Sequence, residues 1–153
     1  MRTWRVTSTG GGSTSDELVF LGSAPISWQS LKQKIVALST CEAEYVAVAM
    51  GACLAVWLCR LLGEITGEEE AISPALIVDN QPAITLAKNP VLHDRSKHID
   101  IKFHFLRSCV DEGQIVIEFV ETGRQLADIL TKSLGWLQFT ELKKMIGMVD
   151  SGV

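Results

Sequence analysis

The sequence lacks the features that mark several protein classes. Its four cysteines show no C-x-x-C spacing, so neither a disulfide framework nor a cysteine zinc site is expected. Cys53 and Cys59 lie in an apolar run, which predicts buried free thiols in a reducing compartment. The chain also has no excess of positive charge, since its net charge is −4. Bulk attraction to nucleic acid is therefore excluded, and any such binding needs a local basic patch or bound metal ions.

A membrane-spanning segment is not expected either. The one long apolar run is residues 45–59, and as a helix of about fifteen residues it reaches roughly 22 Å, short of the roughly 30 Å hydrocarbon core. We therefore predict a buried helix and no membrane partner. The chain has 153 residues, 47% of them hydrophobic, which indicates one domain with a globular core.

The N-terminal residues differ in composition from the rest of the chain. Residues 7–15 read TSTGGGSTS and predict a flexible turn or loop, because small polar and glycine residues disfavour regular structure. A weak strand is expected before it. We accordingly divide the chain into a degenerate strand with a glycine-rich loop at residues 1–16 and one folded domain at residues 17–150.

The folded domain alternates strands and helices. Residues 18–21 and 26–28 predict a hairpin, residues 75–78 a strand buried on both faces, and residues 114–120 the last strand. Ser39 caps a long helix that ends near residue 62, a further helix begins at Pro82, and helices are also expected around residues 99–110, 125–134 and 138–148. This order indicates an α/β fold with a mixed sheet.

Three acids at element boundaries form the candidate site. Glu42 and Glu44 lie two residues apart at the start of a helix, so one can serve the cap while the other faces the sheet. We assign the cap to Glu42 and the site to Glu44. Asp79 ends a buried strand, where α/β sheets present ligand-binding groups, and Asp128 lies in the first turn of a helix.

Each of these acids also has a purely structural interpretation. Both glutamates suit a helix N-terminus, Asp79 can cap the helix that follows it, and Asp128 can stabilise its own helix through the macrodipole. If the three acids lie close together in the fold, they would instead suit a metal-binding site. Magnesium prefers hard oxygen ligands such as carboxylates, and a pair of such ions about 4 Å apart assists phosphoryl transfer.

Four stretches resemble, in order, the motifs of one family. Residues 39–45, STCEAEY, resemble its S-T-x-E-A-E-Y signature, and residues 78–84, VDNQPAI, resemble its D-N-x-x-A-I segment. Residues 95–105, RSKHIDIKFHF, resemble its basic helix R-S-K-H-I-D-I-x-x-H-F, and residues 125–132, QLADILTK, its closing Q-x-A-D-x-x-T-K motif. The family is the ribonuclease H domain at the C-terminus of the Pol polyprotein of copia-type LTR retrotransposons.

The resemblance implies a ribonuclease H-like fold, with a mixed central sheet flanked by helices and a degenerate first strand. It implies hydrolysis of the RNA strand of RNA–DNA hybrids by metal-assisted phosphodiester cleavage, with Mg²⁺ or Mn²⁺ as cofactor. Glu44, Asp79 and Asp128 fall at the positions of the catalytic, metal-binding carboxylates. The implied partners are the hybrid and, for a fragment, the reverse transcriptase region of the same polyprotein. The implied location is a cytoplasmic virus-like particle or the nucleus.

One family motif is missing. The family's first strand carries D-x-D-W, whose first Asp is the central metal ligand, and Trp4 falls where that tryptophan would lie. Met1, Arg2 and Thr3 precede it, so no carboxylate is present there, and Asp16 follows the glycine-rich tract out of register. We therefore expect weak metal binding and impaired or absent cleavage.

The one positive cluster lies in the basic helix. Arg95, Lys97, His98 and Lys102 are the candidate nucleic-acid-binding residues, as a surface that follows the phosphates of a hybrid. A solvated helix face explains the same charges. Zinc binding by the histidines is disfavoured, because no cysteine pair or known ligand spacing accompanies them. Trp28 and Trp57 are predicted to be core residues.

Three functions therefore compete. The first is a ribonuclease H domain with an impaired catalytic site. The second is a non-catalytic remnant of the same fold that binds nucleic acid or protein. The third is an apolar interaction module without metal, which follows if the three acids diverge in space.

Overall fold

Five strands form one mixed sheet in the order β3-β2-β1-β4-β5. The protein is seen in a computed structural model that describes residues 4–11, 14–34, 37, 39–67, 73–89 and 97–149. The strands are β1 (Trp4–Gly11), β2 (Thr14–Leu21), β3 (Ala24–Lys32), β4 (Ala75–Val78) and β5 (Val116–Phe119). The first three are antiparallel neighbours, whereas β4 lies parallel to β1 and β5 parallel to β4. The predicted α/β fold with a mixed sheet is confirmed.

Four α-helices accompany the sheet in the described residues: α1 (Thr40–Thr66), α2 (Gln81–Lys88), α3 (Lys97–Asp111) and α4 (Trp136–Ile146). Their ends follow local chemistry. The Ser39 hydroxyl accepts a hydrogen bond from the N–H of Glu42 at 3.1 Å, which confirms the predicted cap of α1. The helix ends at Gly67, whose φ of 67° suits a residue without a Cβ.

The sheet is covered on both faces because its strands alternate. Val6 and Val19 point to one side and pack with Tyr45 of α1 and with other residues of α1, α2 and α3. Leu18 and Phe20, one residue out of phase, point to the other side and pack with α4 and the segment before it. This period of two gives three layers, with the sheet in the middle.

The long helix α1 is the central helix of the first face. Among the described residues it alone is long and apolar enough to cross a membrane, by length and composition only. Its sheet-facing alanines are fully buried against β1 and β4. Gly51 permits this approach, because a Cβ there would lie 3.2 Å from the Cβ of Ser8 and 3.1 Å from a methyl of Leu76. The buried residues of α1 extend to Ala55, so the predicted buried helix is confirmed for its first part, whereas residues further along are partly or fully exposed.

Two predictions of local structure are wrong. The glycine-rich tract is not a loop over residues 7–15, because β1 continues to Gly11 and β2 begins at Thr14, with Gly11 paired to Thr14. Pairing along a hairpin supplies the backbone partners that glycine-rich sequence does not supply locally. Residues 125–134 do not form a regular helix, and a 3₁₀ helix spans Leu126–Leu130 instead. The division of the chain at residue 16 stays a prediction.

Three predictions of burial are also wrong. Trp28 is 64% exposed because β3 is an edge strand, and Trp57 is 56% exposed because it lies on the outer side of α1. Cys53 is exposed as well, although Cys109 is buried. Periodicity predicted the helix and the strand correctly, but it did not identify which of their apolar residues lack a covering layer.

Candidate active site

The first candidate acid, Glu44, lies in the first turns of α1 and is buried. Its position depends on β1, since the N–H of Gly10 donates a hydrogen bond to Oε2 of Glu44 at 2.9 Å. Only a glycine fits at this point of β1. A Cβ on Gly10 would lie 2.8 Å from the carbonyl oxygen of Ala43. The strand can therefore approach α1 closely enough for a backbone donor to hold the carboxylate.

The electrostatic surroundings of Glu44 are unusual for a glutamate. Burial is the main cause that raises its pKa, to about 7. The hydrogen bond from Gly10 acts in the opposite direction, as does the positive charge of Lys132. The negative charges of Asp79 and Asp128 both raise the pKa further. Glu44 thus lies within the electrostatic range of the other two candidate acids.

The second acid, Asp79, directly follows β4 at the carboxyl end of the strand. It does not cap the next helix. That role belongs to Asn80, whose side-chain oxygen accepts a hydrogen bond from the N–H of Ala83 at 2.8 Å. Oδ1 of Asp79 is buried and has no hydrogen-bond partner among the described residues. The alternative in which Asp79 is a helix cap is therefore excluded.

The third acid, Asp128, is held over the sheet by its neighbour Gln125. Gln125 is fully buried, and its side-chain amide donates to the carbonyl oxygens of Ser8 in β1 at 3.1 Å and Ile77 in β4 at 3.4 Å. These bonds fix the start of the 3₁₀ helix that contains Asp128. Asp128 is 1% exposed, so its carboxylate requires a compensating charge.

The compensating charge comes from the ammonium group of Lys132 in the same chain. Nζ of Lys132 lies 2.9 Å from Oδ1 of Asp128, four residues along the chain. Partial burial alone would lower the pKa of Lys132, but the hydrogen bond and charge of Asp128, followed by the charges of Asp79 and Glu44, raise it. Lys132 is therefore a cation within the field of all three acids. We call Glu44, Asp79, Asp128 and Lys132 the acid edge.

The acid edge unites the three carboxylates that the sequence singles out, through α1, the end of β4 and the 3₁₀ helix. Their catalytic and metal-binding roles stay predictions. No group of three or more acidic, histidine or cysteine side chains in the described part of the chain has an arrangement that would hold a metal ion. A further acid lies near the edge: Asp16 of β2, which is buried and accepts a hydrogen bond from the hydroxyl of Thr131.

The candidate nucleic-acid-binding residues are placed only in part. Arg95 lies outside the described residues, and Lys97 and His98 form the first turn of α3. Lys102 lies one turn further on and lines a groove between α3, α1 and β2. Its charge acts on Glu17 of β2. The role of these four residues in binding stays a prediction.

Sequence reasoning missed three residues of the site, Gly10, Gln125 and Lys132. Gly10 was assigned to a loop, and the other two belong to the stretch QLADILTK, where only Asp128 received a role. The spacing of four residues between Asp128 and Lys132 was a readable signal for an ion pair, since such residues are neighbours on one helical face. Gln125 gave no such signal, because its partners Ser8 and Ile77 are distant in sequence.

Comparison with known sequences finds long polyproteins. The chain is 42% identical over 137 residues to the retrovirus-related Pol polyprotein from transposon RE2 of Arabidopsis thaliana, and 43% identical over 136 residues to that from transposon RE1. It is 40% identical over 136 residues to the corresponding polyprotein from transposon TNT 1-94 of Nicotiana tabacum. These alignments cover 89–90% of this chain but only 9–10% of the relatives. The chain thus spans about a tenth of their length.

Comparison with solved structures supports the fold. The N-terminal ribonuclease H domain of a Mycobacterium tuberculosis protein superimposes with a TM-score of 0.61, covering 94% of this chain and 98% of that one. The sequence identity is 15%, so the likeness concerns the fold alone. No family model matches the chain. The arrangement of sheet and helices is thus that of a ribonuclease H domain.

Proposed function

We propose that this chain, a homologue of a segment of copia-type retrotransposon Pol polyproteins with a ribonuclease H-like fold, binds RNA–DNA hybrids but cleaves their RNA strand poorly or not at all. The family activity is metal-assisted hydrolysis of that strand. One observation carries the proposal. β1 lies at the centre of the sheet against Glu44, but it brings a backbone N–H from Gly10 to the site and no carboxylate.

Support for a nuclease-derived site comes from the acid edge. Its carboxylates lie at the C-terminal end of β4 and beside β1, the edge where α/β sheets bind their ligands. The carboxyl groups of Glu44 and Asp128 are buried, and burying such groups is costly even with the partners that Gly10 and Lys132 supply. The unpartnered oxygen of Asp79 suits a cation or a hydrogen-bond donor. These features favour a binding site over a purely structural cluster.

The residues present do not fit a pair of divalent ions. Lys132 already brings a positive charge to Asp128 at 2.9 Å, where a metal would have to displace it. No acid lies on the described part of β1 to bridge two ions, because its residues there read WRVTSTGG. We therefore assign no catalytic step to a metal and propose that Mg²⁺ or Mn²⁺ binds weakly. Chemistry that needs two such ions would be correspondingly slow.

Groups of the protein itself position the acids, and others are proposed to contact the hybrid. The N–H of Gly10 holds the Glu44 carboxyl in place, and Gln125 keeps Asp128 over the ends of β1 and β4. We propose that Lys97 and His98, in the first turn of α3, contact phosphate oxygens of the hybrid. Recognition would follow the shape of the hybrid and its 2′-hydroxyls rather than its base sequence.

A binding experiment tests the first half of the proposal. We expect Lys97→Glu to weaken binding of a fluorescent RNA–DNA hybrid and to reduce the slope of log K against log salt by about one. The matched control is Lys144→Glu, the same charge reversal on α4, on the other face of the sheet. Equal effects of the two variants, or an unchanged salt slope, would exclude the basic helix as the binding surface.

A cleavage experiment tests the second half. The purified chain is incubated with a labelled hybrid and Mg²⁺ or Mn²⁺, with Asp79→Asn as the control for contaminating nuclease. We expect the chain and the control to be equally slow. Ordinary ribonuclease H turnover that Asp79→Asn abolishes would contradict the proposed impairment while supporting the site. Hybrid binding without cleavage is the result that identifies a non-catalytic remnant.

A further inference from the structure

A groove lies between the middle of α1, α3 and strands β2 and β3, apart from the acid edge. Its volume is about 530 Å³, which falls in the range of roughly 300–1,000 Å³ typical of small-ligand pockets. The walls are mainly apolar and include Met50, Leu54 and Trp57 of α1 and Ile101 and Phe105 of α3. Trp57 and Ile101 are exposed. A ligand would therefore enter from solvent between two helices.

The base of the groove is polar. Glu17 of β2 and Gln29 of β3 face each other across the strand pair and both line the groove. The side-chain amide of Gln29 donates to Oε2 of Glu17. Glu17 is 1% exposed, and its other oxygen, Oε1, has no hydrogen-bond partner in the described parts of the protein. We call this site the Glu17 groove.

A buried carboxyl oxygen without a partner has a physical cost, since burial removes its hydration and nothing replaces it. Burial is also the main cause that raises the pKa of Glu17, against the hydrogen bond from Gln29 and the attraction of Lys102. Lys102 therefore acts on Glu17 by charge. Among the described residues, one acceptor of Glu17 thus stays unsatisfied in a groove whose walls are mainly apolar.

We propose that the Glu17 groove binds an organic cation with a planar amidinium or guanidinium head and an apolar body. The head donates to Oε1 of Glu17, and the body lies on Trp57 and Phe105. A planar head fits better than an ammonium group, because it is more weakly hydrated and therefore costs less to bury. The chain's net charge of −4 also favours a cationic ligand.

Such a head has two sources, a free small molecule or the arginine of a polypeptide. Benzamidine represents the first, and N-acetyl-leucyl-arginine amide represents the second. Binding of each to the full chain is measured by calorimetry and by NMR shifts of the Trp57 indole. Binding of either ligand supports the proposal, and the tighter of the two identifies the source of the head. Binding of neither at millimolar concentration would overturn the proposal.

The matched neutral ligand separates a cation site from a merely apolar pocket. Benzamide has nearly the shape of benzamidine without its charge, so we expect benzamidine to bind about tenfold more tightly. Equal affinities would overturn the proposal. Glu17→Gln should abolish the difference, whereas Asp111→Asn, a change of the same charge at the end of α3, should leave it unchanged.

Lys102 provides an independent test that does not alter Glu17. Because its positive charge opposes a cationic ligand, Lys102→Gln should strengthen benzamidine binding severalfold and leave benzamide binding unchanged. Weaker benzamidine binding by this variant would contradict the proposed placement of the head. Trp57→Ala should weaken both ligands, and circular dichroism of every variant checks that the fold persists. The test does not involve hybrid binding, so its outcome is independent of the function proposed above.

Discussion

Two buried glutamates on the same side of the sheet are satisfied in different ways. Glu44, in the acid edge, receives a backbone N–H from Gly10 and lies in the field of Lys132. Among the described residues, Glu17 receives only the amide of Gln29 and keeps one oxygen without a partner. The acid edge thus carries its own cation, whereas no cation of the described residues contacts the carboxyl group of Glu17.

The difference shows that buried acids alone do not identify a metal site. A carboxylate cluster that contains a lysine is partly neutralised without any ion, because the ammonium group supplies the charge that a metal would bring. An isolated carboxyl group in an apolar pocket presents the opposite situation. We therefore expect the acid edge to resist added cations and the Glu17 groove to accept one.

The largest expected effect comes from replacing Gln125, which positions Asp128 of the acid edge. Gln125→Leu removes both hydrogen bonds to the carbonyl oxygens of Ser8 and Ile77, and we expect unfolding free energy to fall by about 3 kcal/mol. Chemical denaturation measures this loss. The matched change in the groove, Gln29→Leu, should cost less because Gln29 is partly exposed. A larger loss for Gln29→Leu would reverse the comparison.

The next effect tests the close approach of β1 to α1. In Gly10→Ala the added Cβ would meet the carbonyl oxygen of Ala43 at 2.8 Å, so we expect a loss of about 2 kcal/mol. The strand must shift, which also weakens the hydrogen bond to Glu44. Gly123→Ala is the control, because a Cβ there meets nothing within 4 Å. Similar stabilities of the two variants would show that the approach is not tight.

Removing Lys132, the cation of the acid edge, further tests the difference between the acid edge and the Glu17 groove. Lys132→Met should destabilise the protein by only about 1 kcal/mol, less than a fully buried pair, because the lysine side chain is 39% exposed. The more informative measurement on this variant is its affinity for metal ions. We expect Mn²⁺ to bind roughly tenfold more tightly by calorimetry. Lys144→Met should leave Mn²⁺ binding unchanged, and an unchanged affinity in Lys132→Met would show that the lysine does not compete with metal.

The last effect is spread over a range of pH and belongs to Glu44. Its pKa is raised from 4.5 to about 7 in the folded protein, so the folded state holds the proton more tightly than the unfolded state. The resulting stabilisation is complete below about pH 4.5 and is lost as the pH rises to about 7. Glu44→Gln should remove this contribution. Parallel stability curves for the two proteins between these pH values would argue against the raised pKa.

Local chemistry explains the parts of the fold that the sequence predicts well. The Ser39 cap of α1 and the start of α2 just after β4 depend on neighbouring residues, and both are confirmed. The same holds for the hairpin of β2 and β3, whose turn contains Gly22 with a φ of 65°. Hydrogen-bonding side chains and residue periodicity are sufficient for these elements, because their partners lie within a few positions along the chain.

The sequence by itself singled out Glu44, Asp79 and Asp128 as the candidate site. The structure brings these three acids into one electrostatic field. Only the tertiary structure decided that Gly10 holds Glu44 and that Gln125 ties the 3₁₀ helix to two strands. It also decided that Glu17, in a groove shared with exposed Trp57, keeps an oxygen without a partner among the described residues. The physical reason is the separation along the chain between the residues that interact. Caps and turns are settled between near neighbours, whereas burial and the pairing of charges depend on residues that meet only after the whole sheet has assembled.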